Sequence, residues 1–145
     1  MRIEHVEHIR APLGQVWEVT VDVESLPTVT PTMTRVERLD EGPLGVGSEI
    51  RIKQPGQRER AWTVTEFEPE QRFAWSTRAM GMTMTGRHEV RPSDGGTSNT
   101  LSIDLVGTLA PVLGPLLRRP IAKALATENR GFKTAIEAEA GRAGR

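Results

Sequence analysis

The apolar positions of this chain change their period along its length. Ile50 and Ile52 alternate with Glu49, Arg51 and Lys53, and Trp62 and Val64 alternate with Thr63 and Thr65. Leu101, Ile103 and Leu105 alternate with Ser102 and Asp104. A two-residue period turns one face of an extended chain to a core and the other to water. Phe73, Trp75, Thr77 and Ala79 share one parity, as do Met82, Met84, Gly86, His88 and Val90. Further on the period lengthens. Leu109, Val112, Leu113, Leu116, Leu117, Ile121, Leu125, Phe132 and Ile136 recur at three- and four-residue steps. That spacing predicts one stripe of a long helix that buries itself against the strands. A sheet curved around such a helix leaves room for a pocket between the two.

Turn residues divide the rest. Arg2 to Arg10 reads as a first strand, ended by Ala11-Pro12. Leu13, Val16, Trp17 and Val21 then predict a short helix from about Pro12, since proline suits a first turn. Two prolines, Pro27 and Pro31, keep any second helix between Asp22 and Pro31 brief. Strands are predicted over Thr32–Asp40, Ser48–Gln54, Arg60–Phe67, Arg72–Met80, Met82–Arg91 and Asn99–Val106. The breaks between them are Glu41–Gly47, Pro55-Gly56, Glu68–Gln71 and the Pro92–Thr97 hairpin turn. Pro120 should bend or divide the final helix, and residues 139–145 should fray. Short turns between successive strands imply an antiparallel meander, and the helices must cover its apolar face. Without a repeat or a linker, residues 1–145 read as a single domain.

Composition narrows the chemistry. The absence of cysteine excludes disulfides, thiolate catalysis and Cys-based zinc sites. The 19 acidic and 19 basic residues balance, so no global field draws the chain to nucleic acid. Arg118, Arg119, Lys123, Arg130, Lys133, Arg142 and Arg145 make the C-terminal third locally basic. Glu128, Glu137 and Glu139 interrupt that run, which therefore reads as a solvated helix face. The N-terminus lacks the apolar core of a signal peptide, and no apolar run is long enough to span a bilayer. The expected location is the cytoplasm.

The order of elements and their local signatures resemble the SRPBCC superfamily, which includes START-type lipid carriers, birch-pollen-allergen-like proteins and polyketide cyclase/dehydrase-like proteins. The resemblance is carried by Ile9-Arg10-Ala11-Pro12, Val16-Trp17, Asp22 with Leu26-Pro27 and Pro31, and the turn Glu41 to Ser48. It continues through Val64 to Pro69, Phe73-Ala74-Trp75, Gly95-Gly96-Thr97 and Asn129 to Lys133. It implies an α+β helix-grip fold: a seven-stranded antiparallel sheet curved around a long C-terminal helix, with one or two short helices after the first strand. It also implies a cavity for apolar or amphipathic molecules between sheet and helix. No catalytic motif is shared across the superfamily, and a fold does not fix a function.

Parity and the helical stripe select Ile52, Trp62, Trp75, Thr77, Met82, Met84, His88, Leu113 and Leu117 as ligand-lining candidates. His88 shares the inward parity of Met82, Met84 and Val90, where an imidazole acts as acid, base or hydrogen-bond partner. Glu66 shares the parity of Trp62 and Val64 and is the second candidate acid, unless the strand reverses facing at Phe67. His5 and His8 fall on opposite faces of an extended strand, so a metal pair there is not expected, and neither is a cofactor. The segment Asp22–Pro31 is expected at the cavity entrance, as a gate. The leading reading is a binding module for a lipid-, isoprenoid- or polyketide-like molecule. The alternatives are a metal-independent cyclase or dehydratase in the same cavity, and a protein-interaction module using an exposed apolar face. Ligand identity and oligomeric state stay open.

Overall fold

Seven strands form one antiparallel sheet in the order β1-β7-β6-β5-β4-β3-β2. They are β1 (Arg2–Ile9), β2 (Arg35–Arg38), β3 (Glu49–Lys53), β4 (Arg60–Glu68), β5 (Arg72–Ala79), β6 (Met82–Ser93) and β7 (Gly96–Val106). A short helix α1 (Leu13–Val21), a single 3-10 turn (Val23–Ser25) and a one-turn helix α2 (Leu26–Val29) separate β1 from β2. The chain ends in helix α3 (Ala110–Ala143). The structure is a computed structural model and describes residues 1–143. This is the helix-grip architecture. β2 through β7 form the meander, and β1 joins its far edge beside β7.

Local chemistry explains the departures from the predicted boundaries. Pro12 caps α1 rather than opening it, its carbonyl accepting the Val16 N–H at 3.2 Å. Pro92 and Ser93 stay in the ladder, opposite Thr97 and Gly96, so the last hairpin closes on Asp94-Gly95 alone. Gly95 sits at φ 76°, where a two-residue turn demands a positive angle. β4 carries a bulge between Val64 and Glu66, the extra residue being Thr65.

Helix α3 runs unbroken through Pro115 and Pro120, so of the bend or division expected at Pro120 the division does not occur. Each proline removes one intrahelical donor. The residues whose carbonyls lose that partner, Pro111 and Leu116, are exposed, and water can take the bond. The region expected to fray is helical as far as Ala143, and Gly144 and Arg145 lie outside the described residues.

The stripe of α3 is buried from Leu125 onward. Leu125, Phe132 and Ile136 are in the core, whereas Val112 and Leu116 are 66% and 72% exposed. The buried part packs on β1, β7, α1 and α2. Gly131 lets α3 cross α2 closely: a Cβ there would collide with the Val29 carbonyl oxygen. A polar clasp fixes the helix beside the sheet. Asn129 donates to the carbonyls of His5 and Asn99 at 3.1 and 3.0 Å and accepts from the Asn99 amide at 2.8 Å. Segment 22–31 buries Val23, Leu26 and Thr30 between sheet and helix, as a wedge.

Candidate functional site

A cavity of about 550 Å³ lies between the sheet and the exposed first half of α3. Trp62, Met84 and Ile103 line it from β4, β6 and β7, and Leu117, Pro120, Ile121, Ala124 and Leu125 from α3. The β3–β4 loop with Gln57 and Arg58, Arg60 at the start of β4, and Met80 at the β5–β6 turn form its mouth. It continues into an inner recess of about 50 Å³ lined by Met33, Ile52, Trp75, Leu101, His88 and Glu128. Gln54, Trp62, Ile103, Leu125 and Glu128 border both spaces. A larger cleft of about 650 Å³ runs beside Leu13, the Pro69–Arg72 stretch and Glu89 to Pro92, but it is more open to solvent.

His88 is held by three aromatic rings from β5 and α3. It stacks flat on Phe73 of β5, its register partner, with centroids 4.7 Å apart and planes at 6°. Trp75 meets it edge-on at 5.9 Å, and Phe132 of α3 meets it at 6.0 Å. Gly86 makes this packing possible, because a Cβ there would come within 3.0 Å of the Trp75 indole nitrogen. His88 is 4% exposed, and its Nδ1 has no hydrogen-bond partner. Burial lowers its pKa from 6.5 to about 4, so the ring is neutral near pH 7.

The Glu128 carboxylate faces that ring, Oε1 lying 3.9 Å from His88 Nε2. Its other oxygen accepts the Thr32 hydroxyl at 3.4 Å. Burial raises the Glu128 pKa from 4.5 to about 7, against a smaller opposing effect of the Thr32 bond. The separation is that of an ion pair, but burial drives both groups toward their neutral forms. Near neutral pH the imidazole is therefore uncharged and the Glu128 carboxyl is held toward its protonated form. Among the described residues no three His, Cys, Asp or Glu side chains converge as metal ligands.

The structure brings together part of the predicted set. Trp62, Met84 and Leu117 line the cavity, and Ile52, Trp75 and His88 line the recess. Thr77, Met82 and Leu113 line neither. The Thr77 hydroxyl bonds the Ala61 carbonyl at 2.9 Å, Met82 is buried beside Ala79, and Leu113 lies above the cavity near the start of α3. Glu66 does not face the interior: the bulge at Thr65 turns it outward, onto Arg72 at 2.6 Å and Arg87 at 3.3 Å. Nor does Asp22–Pro31 flank the mouth, which belongs to the β3–β4 loop and the β5–β6 turn. Glu128 is the residue that the sequence reading passed over, as an interruption in a basic run. Its spacing held the signal, since it stands three residues after Leu125 and four before Phe132, inside the buried stripe.

Several solved structures share this architecture. A START superfamily protein from Mycobacterium smegmatis superposes with a TM-score of 0.77 at 16% identity, over 94% of this chain and 97% of that one. A protein from Thermus thermophilus gives 0.76 at 16% identity, over 96% and 99%. The Zhui aromatase/cyclase from Streptomyces sp. R1128 gives 0.70 at 24% identity, over 100% and 96%. At these identities the likeness establishes the fold alone. No curated protein sequence matches the chain. The sequence profile described as polyketide cyclase / dehydrase and lipid transport matches residues 1–137. The chain belongs to that family, within the SRPBCC superfamily whose helix-grip fold it adopts.

Proposed function

We propose that the chain binds one small amphipathic molecule, its apolar body along Met84, Ile103, Leu117 and Ile121 and a neutral oxygen at His88 and Glu128. The volume suits a lipid-, isoprenoid- or polyketide-like ligand. The observation that carries this reading is the blind end of the cavity. The His88 Nε2 stands there 3.9 Å from a buried carboxyl whose pKa burial raises to about 7. A hydroxyl or ketone satisfies both groups. A carboxylate has no counter-charge in the recess, because the Arg87 guanidinium points away to Glu66 and Asp104. The reading places the protein in the cytoplasm, with which the absence of cysteine agrees.

Quenching of Trp62 and Trp75 fluorescence tests it. Near neutral pH, 1-decanol should bind at least about tenfold more tightly than decanoate, the cost of burying an unpaired charge. Leu117→Trp, which puts a bulky ring into the cavity, should weaken binding by at least about tenfold without unfolding the protein. Equal binding of the two probes rejects the neutral-end assignment. No binding by either, with no co-purifying molecule in native mass spectra, rejects the cavity reading itself.

A cyclase or dehydratase reading is supported by the same pair of groups, spaced to hold one substrate oxygen between an acid and a base. It predicts turnover of a poly-β-ketone substrate that Glu128→Gln suppresses by at least about a hundredfold while binding persists. A binding module shows no turnover in the wild type.

A further inference from the structure

We propose that the mouth end of the molecule docks on an anionic lipid surface, through the exposed first half of α3. Nine large hydrophobic side chains are exposed among the described residues, and six of them, Met1, Met80, Val106, Leu109, Val112 and Leu116, gather at this end. The contacts link them. Leu109 lies over Gly81 in the β5–β6 turn beside Met80, and Met1 lies against Gly114 of α3. Met1 and Val106 also border one shallow depression with Pro111 and Pro115 of α3. Six such side chains in one place exceed what scattered surface exposure explains.

Charge selects the occupant. The chain carries no net charge, yet no acidic residue occurs from Leu105 to Thr127 or from Arg72 to His88. Arg119 and Lys123 follow Val112 and Leu116 along the same side of α3, seven and eleven residues beyond Val112. Arg58 and Arg60 stand at the mouth itself. An apolar stripe continued by cations, on a convex helix, is the pattern of a helix lying in a membrane interface. A second copy of the chain fits poorly. A two-fold contact through this stripe would set Arg119 and Lys123 against their own equivalents, with no acid on the stretch to answer them. A protein partner fits less well than lipid, because the patch offers no aromatic anchor and its side chains project instead of lining a pocket. The proposal stands on surface residues and is independent of what the cavity holds.

Co-sedimentation of the full chain with vesicles tests it. Phosphatidylcholine vesicles containing about a third phosphatidylserine should bind the protein, and phosphatidylcholine alone should bind it at least about tenfold more weakly. The double variant Val112→Glu/Leu116→Glu should lose binding. Arg119→Glu/Lys123→Glu should remove the preference for phosphatidylserine. Val46→Glu, at an equally exposed valine beyond the opposite end of β3, should bind as the wild type does. Thermal melts of each variant confirm that the fold is retained. Three results overturn the proposal: no vesicle binding by folded wild type, equal losses from Val46→Glu, or sedimentation showing a dimer that Leu116→Glu dissolves. Capture of an acidic protein by wild type that ignores vesicles likewise overturns it in favour of a protein docking face.

Discussion

Glu128 and His88 show how strongly burial can reset two ordinary side chains. The folded pKa of Glu128, about 7, lies above its unfolded value near 4.5. Its stability contribution is therefore complete below about pH 4.5 and is lost as pH rises through 7. His88 has the opposite sign: its folded pKa, about 4, lies below 6.5, so its contribution is complete above 6.5 and is lost as pH falls through 4. Each displacement is worth about 3 kcal/mol at full effect, and between about pH 4.5 and 6.5 the two slopes cancel. Glu128→Gln removes one slope. Urea denaturation should find this variant more stable than wild type by about 2–3 kcal/mol at about pH 8, and within about 1 kcal/mol of it at about pH 5. An equal difference at both pH values would show that Glu128 ionises in the fold as it does in water. Of this pair, His88 was legible from parity alone. Glu128 was not taken as a site residue, because a lone acid on a basic helix reads as solvated until the helix is known to turn that face inward.

At the scale of elements, one bulge and one glycine decide where groups point. A strict two-residue alternation puts Glu66 inside with Trp62 and Val64, and the single extra residue at Thr65 puts it outside on Arg72 and Arg87. Bulges leave little trace in an alternating pattern, so the facing of Glu66 had to come from the register. Helix α3 depends in the same way on Gly131, where it meets the backbone of α2. Gly131→Ala should destabilise the protein by about 2–3 kcal/mol, because the obstacle is a carbonyl group and not a flexible side chain. Chemical denaturation measures this directly. A change below about half a kilocalorie would mean that α2 can move aside freely. The Asn129 clasp is a second tie of this kind. Asn129→Leu leaves the buried Asn99 side-chain N–H without its acceptor and takes a side-chain donor from the His5 and Asn99 carbonyls, at a cost of about 1–3 kcal/mol.

At the scale of the whole molecule, α3 does two jobs with two halves. From Leu125 onward it closes the core over β1 and β7, with Phe132 and Ile136. Its first half overhangs, roofing the cavity on one side and exposing Val112 and Leu116 on the other. The sequence by itself determined the seven-strand-plus-helix order, because hydrophobic period and turn chemistry are local properties that need no partner. It determined the inward side of β3, β6 and β7, and with it Ile52, Met84 and His88. Only the tertiary structure decided which part of the α3 stripe is buried, since a 34-residue helix is longer than the sheet it covers and periodicity does not record where the contact ends. Only the tertiary structure set Glu128 opposite His88, forty residues apart in the chain, because that meeting depends on how a distant helix is seated across the sheet.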